Sequence, residues 1–345
     1  MNSATELVKT LWQLRPQKPS FTEEHVPSLL GKVYVVTGSN GGIGKQVARI
    51  LYERHARVYL TARSQEAAQR TKDDIEVAVP SSKGELIVAL LDLGNLSTIR
   101  TATRRILERE DRIHVLFNNA GVGVGTSEAQ TTGQGHDRWL GVNNLGPHLL
   151  LKLLTPALIA AAKAEGAPGA VRVVWVSSAS AVFPDVPAGG VPMDDIPDNR
   201  DDGRKESYRA KYGVGTRYGI SRAGNILQAA EFARLHRENG VASVAMHPGI
   251  IDTESFTPLA ATNNLAWVFK VLFMQPAVHG AYTQAFAGLS PQAAETPRGE
   301  WIVPGGHFAS LGRDLQLAMK TRDEGGTGVA QDFWAWNEEH VKPYL

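Results

Sequence analysis

The stretch Lys32-Val33-Tyr34-Val35-Val36-Thr37-Gly38-Ser39-Asn40-Gly41-Gly42-Ile43-Gly44-Lys45-Gln46-Val47-Ala48-Arg49-Ile50-Leu51 reads as strand, glycine turn and helix. Lys32 to Val36 is a short run of β-branched and aromatic residues, which favours a buried strand. Val47, Ile50 and Leu51 recur at helical spacing and predict a helix packed on one face. Between them, glycines let the backbone take positive φ and come close to a ligand. Amides at the start of that helix then converge on one point with the positive end of the helix dipole behind them, a site suited to a pyrophosphate. The turn therefore predicts dinucleotide binding in an α/β fold.

Gly38, Gly42 and Gly44 stand in the order T-G-x-x-x-G-x-G, wider than the usual G-x-G-x-x-G. With this spacing the sequence resembles the short-chain dehydrogenase/reductase family. The resemblance implies a Rossmann-like, doubly wound α/β fold in three α/β/α layers, with about seven mostly parallel strands. It also implies that Gly38, Ser39, Asn40, Gly42, Ile43 and Gly44 line the cofactor turn.

Composition narrows the field independently. The chain has 345 residues, a formal charge of +1 and no cysteine. Near-zero charge without a basic stripe argues against nucleic acid. The absence of cysteine excludes disulfides, thiolate metal sites and cysteine nucleophiles, and suits a reducing compartment. Ten histidines are scattered without a metal-ligand pattern, so no metal is expected. Residues 1–28 read as a polar extension without the apolar core of a signal peptide, ahead of a single domain over 29–345. No stretch of the sequence reads as a membrane span, and the cytoplasm is the expected location. A monomer or homodimer is expected.

Arg57-Val58-Tyr59-Leu60-Thr61-Ala62-Arg63 is a second strand. An acidic residue at its end would hold the ribose hydroxyls of NAD, whereas a basic one suits the 2′-phosphate of NADP. Arg63 stands there, and a guanidinium grips phosphate through two parallel hydrogen bonds, so NADP(H) is the expected cofactor. The alternative is a solvated strand-end charge. A third strand over 86–93 ends near Asp92 and Leu93. The resemblance gives Asp92 to the adenine amine; otherwise it caps the next helix. A fourth strand, Ile113 to Phe117, runs into Asn118-Asn119-Ala120-Gly121, the family's second signature, which implies that Asn119, Ala120 and Gly121 lie against the cofactor.

A long helix from Trp139 contains Asn143, Asn144 and Pro147, and the proline predicts a kink or break nearby. The resemblance gives Asn143 a water in a proton relay; a buried structural hydrogen bond is the plain alternative. Val171 to Val176 is a fifth strand leading into Ser177-Ser178-Ala179-Ser180. By resemblance Ser178 orients the substrate carbonyl, with Ser180 as fallback and Phe183 nearby on the substrate side. The proline- and glycine-rich segment of about 183–215 is either a substrate wall or a surface insertion.

Tyr218 and Arg222 lie four apart on a helical segment and share a face. The family pattern is Y-x-x-x-K, in which tyrosine exchanges the substrate proton and lysine supplies charge and holds the nicotinamide ribose. An unperturbed tyrosine titrates near about 10, so a neighbouring cation is needed. Arg222 replaces the lysine here. The alignment holds because Ala223-Gly224-Asn225 follows in phase, which makes the nearby Tyr212 a decoy. Arginine can stabilise a phenolate and donate to ribose oxygens, but it cannot pass a proton onward.

A sixth strand, Ser243 to His247, ends in Pro248-Gly249-Ile250-Ile251-Asp252-Thr253. Its resemblance to the family's P-G-x-x-x-T places Pro248, Gly249, Ile251 and Thr253 near the cofactor. An apolar segment follows, within about 254–276, including Phe256, Trp267 and Phe273. It fits a lid or pocket wall for a bulky, mainly apolar substrate, or else an ordinary core or dimer helix. Gly299 to Pro304 reads as the last, edge strand, and Phe333, Trp334 and Trp336 as anchors that dock the C-terminal tail. The tail resembles longer fungal family members related to retinol dehydrogenases and WW-domain oxidoreductases. The resemblance implies NADP(H)-dependent interconversion of a carbonyl and an alcohol in secondary metabolism. The alternative, prompted by Arg222, is a step without net redox, such as isomerisation or cyclisation, or a weakly active cofactor-binding protein.

Overall fold

The computed structural model describes residues 17–125, 131–198, 203–251, 274–295 and 299–345. Thr253, Phe256, Trp267 and Phe273 lie outside these described residues. The strands are β1 (Val33–Val36), β2 (Arg57–Ala62), β3 (Glu85–Leu90), β4 (Val115–Asn118), β5 (Val171–Val176), β6 (Val241–Met246), β7 (Glu300–Val303) and β8 (His307–Ser310). They form one sheet in the order β3-β2-β1-β4-β5-β6-β7-β8. All neighbours are parallel except β7 and β8.

The order reverses direction between β1 and β4, and such a switch point opens a crevice at the strand ends. The glycine turn is located there. It leads from β1 into α1 (Gly42–Glu53). The helices α2 (Gln65–Ala78) and α3 (Leu96–Leu107) follow β2 and β3.

Three expectations change. The segment at 299–304 does form β7, but the edge belongs to β8, which folds back antiparallel after a turn through Gly305 and Gly306 at φ 84° and 80°. His307-Phe308-Ala309-Ser310 is too short and mixed to show a strand period in sequence. The second change concerns the helix after β4. It begins as α4 (Arg138–Leu140), passes through a π-helical turn (Gly141–Leu145) and continues as α5 (Gly146–Glu165). The break expected near Pro147 is thus a π-turn ahead of it, with the proline in the first turn of α5. The run Arg138–Glu165 is also long and apolar enough to cross a membrane by length and composition, against the expectation that no stretch reads as a span. It is largely buried, as a core helix of the domain.

Two apolar cores flank the sheet. On one face Ile99 of α3, Leu149 and Leu154 of α5, and Ile220, Ala223 and Leu227 of α7 (Val214–His236) pack on Val35, Leu116 and Val173. On the other, Ile50 and Leu51 of α1 join Ala281, Ala285 and Phe286 of α8 (Ala277–Leu289) against Val36, Phe117 and Val174. Sheet residues alternate between the two cores, as period-two burial requires.

The described part of the 183–215 segment is packed rather than loose. Val191, Ile196 and Tyr208 are buried, the last on α6 (Arg204–Lys211). The chain ends in α9 (Arg313–Ala318) and α10 (Val329–Val341). Phe333 is fully buried, Trp334 meets His148 edge-on at 4.4 Å, and Trp336 stacks on Phe333 at 5.6 Å. The tail aromatics therefore dock α10 onto α5 and α7, as the sequence suggests.

Candidate active site at the sheet switch point

Thr37 closes β1 and fixes the start of the turn. Its hydroxyl donates to the Phe117 carbonyl at 3.1 Å and accepts the Ala120 amide at 2.9 Å. The chain then turns at Gly38 and Gly42, both at positive φ (64° and 50°), where a side chain would be strained. A Cβ on Gly44 would run into the Gly38 carbonyl and lie 2.6 Å from Asn119 Nδ2. The Asn119 amide donates to the Thr37 carbonyl at 2.8 Å, while its oxygen accepts from Gln284 of α8 at 2.7 Å. One asparagine thus ties the turn to β4 and, through Gln284, to the helix behind it. Nothing in the local sequence around Gln284 signals that role.

This framework walls a cavity of about 550 Å³. Of the residues expected there, Gly38, Asn40, Gly42, Ile43 and Gly44 line one side, and Arg63, Asp92 and Leu93 another. Asn119, Ala120 and Gly121 close the third. Asp92 accepts the Gly94 amide at 2.9 Å, which shapes this wall. Arg63 is exposed at the rim and has no ion-pair partner among the described residues. Ser39 turns away: it is fully buried and bonds back to the Thr61 carbonyl, its amide at 3.0 Å and its hydroxyl at 3.3 Å. Lining residues that the sequence does not single out include Arg138 and Val142, which approach from α4 and the π-turn. Pro248, Gly249 and Ile251 lie outside the lining. Gly249, at φ 95°, turns beside Pro304, and the Gly280 backbone packs on both Ile43 and Ile251.

The residues expected to perform chemistry gather beyond Gly121. Ser178 follows β5, and its Oγ accepts the Ser180 amide at 3.2 Å. Ser180 Oγ is buried without a partner among the described residues. Phe183 ends this turn and is partly exposed. Tyr218 and Arg222 are carried by α7, and the Arg222 guanidinium carbon lies 5.1 Å from the centroid of the Tyr218 ring. Arg222 is 6% exposed; its Nη1 donates to the Val176 carbonyl at 3.0 Å, and its Nε has no partner among the described residues. Its backbone carbonyl accepts from Ser177 Oγ at 2.7 Å, so α7 is fastened to the end of β5.

The guanidinium also rests on the backbone of Gly121: a Cβ there would lie 2.9 Å from its Cζ and Nη1 and closer still to Nη2. Arg222 therefore joins the tyrosine to the cavity wall. Asn143, in the π-turn, uses both ends of its amide. Its oxygen accepts the Val122 amide at 2.8 Å, and its nitrogen donates to Ser221 Oγ at 3.0 Å. Asn144 instead points into α7, bonding the Ser221 carbonyl and Asn225. Tyr212, which the sequence reading sets aside in favour of Tyr218, donates to Asp195 Oδ2 at 2.6 Å.

With this geometry established, likeness to known proteins decides the family. Residues 32–188 match the family model for short chain dehydrogenases. A short-chain dehydrogenase/reductase of Phomopsis amygdali is 42% identical, with 98% of each chain covered. The chain belongs to the short-chain dehydrogenase/reductase family.

Another member, bet4 of Neocamarosporium betae, is 38% identical over 99% of this chain and 96% of its own. Among solved structures, an uncharacterised protein from Mycobacterium paratuberculosis superposes with a TM-score of 0.63 at 25% identity, over 93% of this chain and 97% of that one. The NADP complex of RhlG from Pseudomonas aeruginosa, at 22% identity and a TM-score of 0.52, covers 69% of this chain and 80% of its own and shares the fold. Short-chain dehydrogenases/reductases are oxidoreductases that bind a nicotinamide cofactor and act on small molecules, and this member carries the cavity that such a cofactor requires.

Proposed function

We propose that this chain is an NADP(H)-dependent oxidoreductase that interconverts a carbonyl and an alcohol on a bulky, mainly apolar small molecule. The observation that carries the reading is the placement of Arg222, buried between the Tyr218 ring and Gly121 of the cofactor cavity. A cation there faces the proposed proton donor on one side and the cofactor wall on the other.

The cavity fits a dinucleotide on its own terms. Glycines stand where a Cβ would collide, and Gly42, Ile43 and Gly44 at the N-terminus of α1 line it, where helix amides favour a phosphate. Arg63 would take the 2′-phosphate, Asp92 the adenine amine, and the Arg222 guanidinium, beside Gly121, a ribose oxygen. The bound cofactor supplies or accepts the hydride.

The protein's own groups handle the oxygen and its proton. Because Ser178 Oγ already accepts the Ser180 amide, its hydroxyl proton is left to donate to a substrate carbonyl oxygen. That hydrogen bond strengthens as the oxygen gains negative charge, which is the condition for speeding the reaction. Tyr218 gives its phenolic proton to the same oxygen in reduction and takes it back in oxidation. The Arg222 charge stabilises the phenolate left behind. We assign Asn143 to bracing Val122 against α7, since both ends of its amide are already engaged by protein.

The apolar run that includes Phe256, Trp267 and Phe273 supports a bulky substrate, and a polyketide, terpenoid or steroid-like carbonyl of fungal secondary metabolism is the class to test first. NADPH oxidation with a panel of bulky ketones tests the reading. Turnover that consumes NADPH supports it, whereas substrate conversion with no fall in NADPH would replace it with chemistry that has no net redox.

A further inference from the structure

Arg217 immediately precedes Tyr218 on α7, yet it points away from the cavity and into the protein. Its side chain is 5% exposed and that of Asp137 is 1% exposed, and Nη1 meets Oδ2 at 2.8 Å. Asp137 is also the N-cap of α4, its Oδ1 accepting the amides of Trp139 at 3.1 Å and Leu140 at 3.3 Å. The Arg217 guanidinium lies over the Trp139 ring, 4.6 Å from its centroid. Trp139 Nε1 in turn donates to the Gly123 carbonyl at 3.2 Å. Tyr208, from the 183–215 segment, is 1% exposed beside this group. Its phenol is pushed well above the usual tyrosine range, first by burial and then by the Asp137 charge.

A buried ion pair is weak evidence for stability, because removing two charges from water offsets most of their attraction. What this one does is join three segments that meet at the reacting end of the cavity. These are the extension of β4 past Gly121, the start of the helix that carries the Asn143 π-turn, and the residue next to Tyr218. We infer that Arg217 and Asp137 are positioning residues that set where Tyr218 stands relative to the cavity, with Trp139 as the plate between them. The inference rests on the assignment of Tyr218 as proton donor. The 183–215 segment gains a role as well. Through Tyr208 it helps to keep water from the pair, and a desolvated guanidinium–carboxylate hydrogen bond holds its geometry more tightly than a solvated one.

The test uses the full-length protein, NADPH, and bicyclic ketones such as 1-decalone. Arg217→Met alone would strand a buried carboxylate and risk misfolding, so two other variants are used. Asp137→Asn/Arg217→Gln removes both charges together, so neither is left buried and unpaired, and Arg217→Lys keeps the charge but loses the flat guanidinium face over Trp139. A misplacement on the order of 1 Å costs about a hundredfold in rate. The neutral pair is therefore expected to lose about tenfold to a hundredfold in kcat, and Arg217→Lys a smaller factor. Both are expected to bind NADPH as tightly as the wild type, measured by fluorescence, because neither residue lines the cavity.

Wild-type kcat in folded Arg217→Lys and in the neutral pair would overturn the inference, as would NADPH affinity falling in step with kcat. Should the neutral pair not fold, unchanged kcat in Arg217→Lys alone overturns it. Tyr218→Phe separates the two levels. If that variant retains activity, or the wild type reduces no ketone, the proton-donor assignment fails and this inference falls with it. If Tyr218→Phe is inactive while the Arg217 variants are fully active, only the positioning role fails.

Discussion

The contact between Gly121 and Arg222 gives a sharp test of how arginine fits where lysine stands in the family pattern. Adding one methyl group in Gly121→Ala would place a Cβ 2.9 Å from the Cζ and Nη1 of Arg222, inside contact distance. The guanidinium can retreat only by releasing the Val176 carbonyl, which Nη1 now holds at 3.0 Å in a buried setting. A hydrogen bond to a charged group is worth about 1.5–3 kcal/mol. Overpacking a tight site costs about 1–3 kcal/mol. Gly121→Ala should therefore destabilise the cofactor-free protein by about 2.5–6 kcal/mol on these combined terms. In an Arg222→Lys background the unbranched ammonium leaves the space above Gly121, and the same substitution should cost about 1 kcal/mol, the ordinary size of a point-mutant effect. Urea denaturation of the four proteins without cofactor closes the cycle, with an expected coupling of about 1.5–5 kcal/mol, the difference between the two costs. If the two changes add to within about 0.5 kcal/mol, Arg222 does not depend on the bare backbone at Gly121 and the steric argument is wrong.

Other consequences follow from single observations. Arg63→Ser should weaken NADPH binding by about 10- to 100-fold, the worth of a charged hydrogen-bonded contact, and leave NADH binding nearly unchanged. Equal effects on both cofactors, read by fluorescence titration, would reduce Arg63 to a solvated charge. His247 is fully buried with neither ring nitrogen partnered among the described residues, and burial lowers its pKa to about 3. Its unfolded form takes up a proton near about 6.5, so its contribution to stability is complete above that pH and is lost as pH falls toward the folded value. Between about pH 6.5 and pH 5 this loss is about 2 kcal/mol. His247→Leu should flatten that part of the stability-against-pH curve, and an unchanged slope in urea melts would contradict the assignment. Phe333→Ala empties the contact between α10 and Gly224, where a Cβ would lie 2.8 Å from the Phe333 ring, and should cost about 3–5 kcal/mol in thermal or urea denaturation. A loss below about 1 kcal/mol would mean that the tail is a loose appendage.

Much of the architecture was legible because strand ends and glycines signal locally. The glycine turn, the Asn119-Ala120-Gly121 segment and the Tyr218–Arg222 spacing each depend on residues close together in sequence. Tyr212 was separable from Tyr218 by the phase of the residues that follow. Features set by distant partners were not legible. Ser39 faces inward because Thr61, on the next strand, offers it a carbonyl, and no local pattern distinguishes that from a hydroxyl facing a ligand. The Asp137–Arg217 pair spans 80 residues, and each member alone reads as an ordinary cap or helix charge. β8 escaped because four residues of mixed character carry no period, and Pro147 announced a break without saying that it would be a π-turn.

The central claim is that Tyr218, backed by Arg222, exchanges a proton with a carbonyl substrate while NADPH is consumed. The most direct measurement is steady-state NADPH oxidation on a bulky ketone by the wild type and by Tyr218→Phe, each checked for folding and NADPH binding. Removing the general acid should lower kcat by about 10²- to 10⁴-fold with NADPH affinity intact. A Tyr218→Phe enzyme that oxidises NADPH at the wild-type rate would contradict the account.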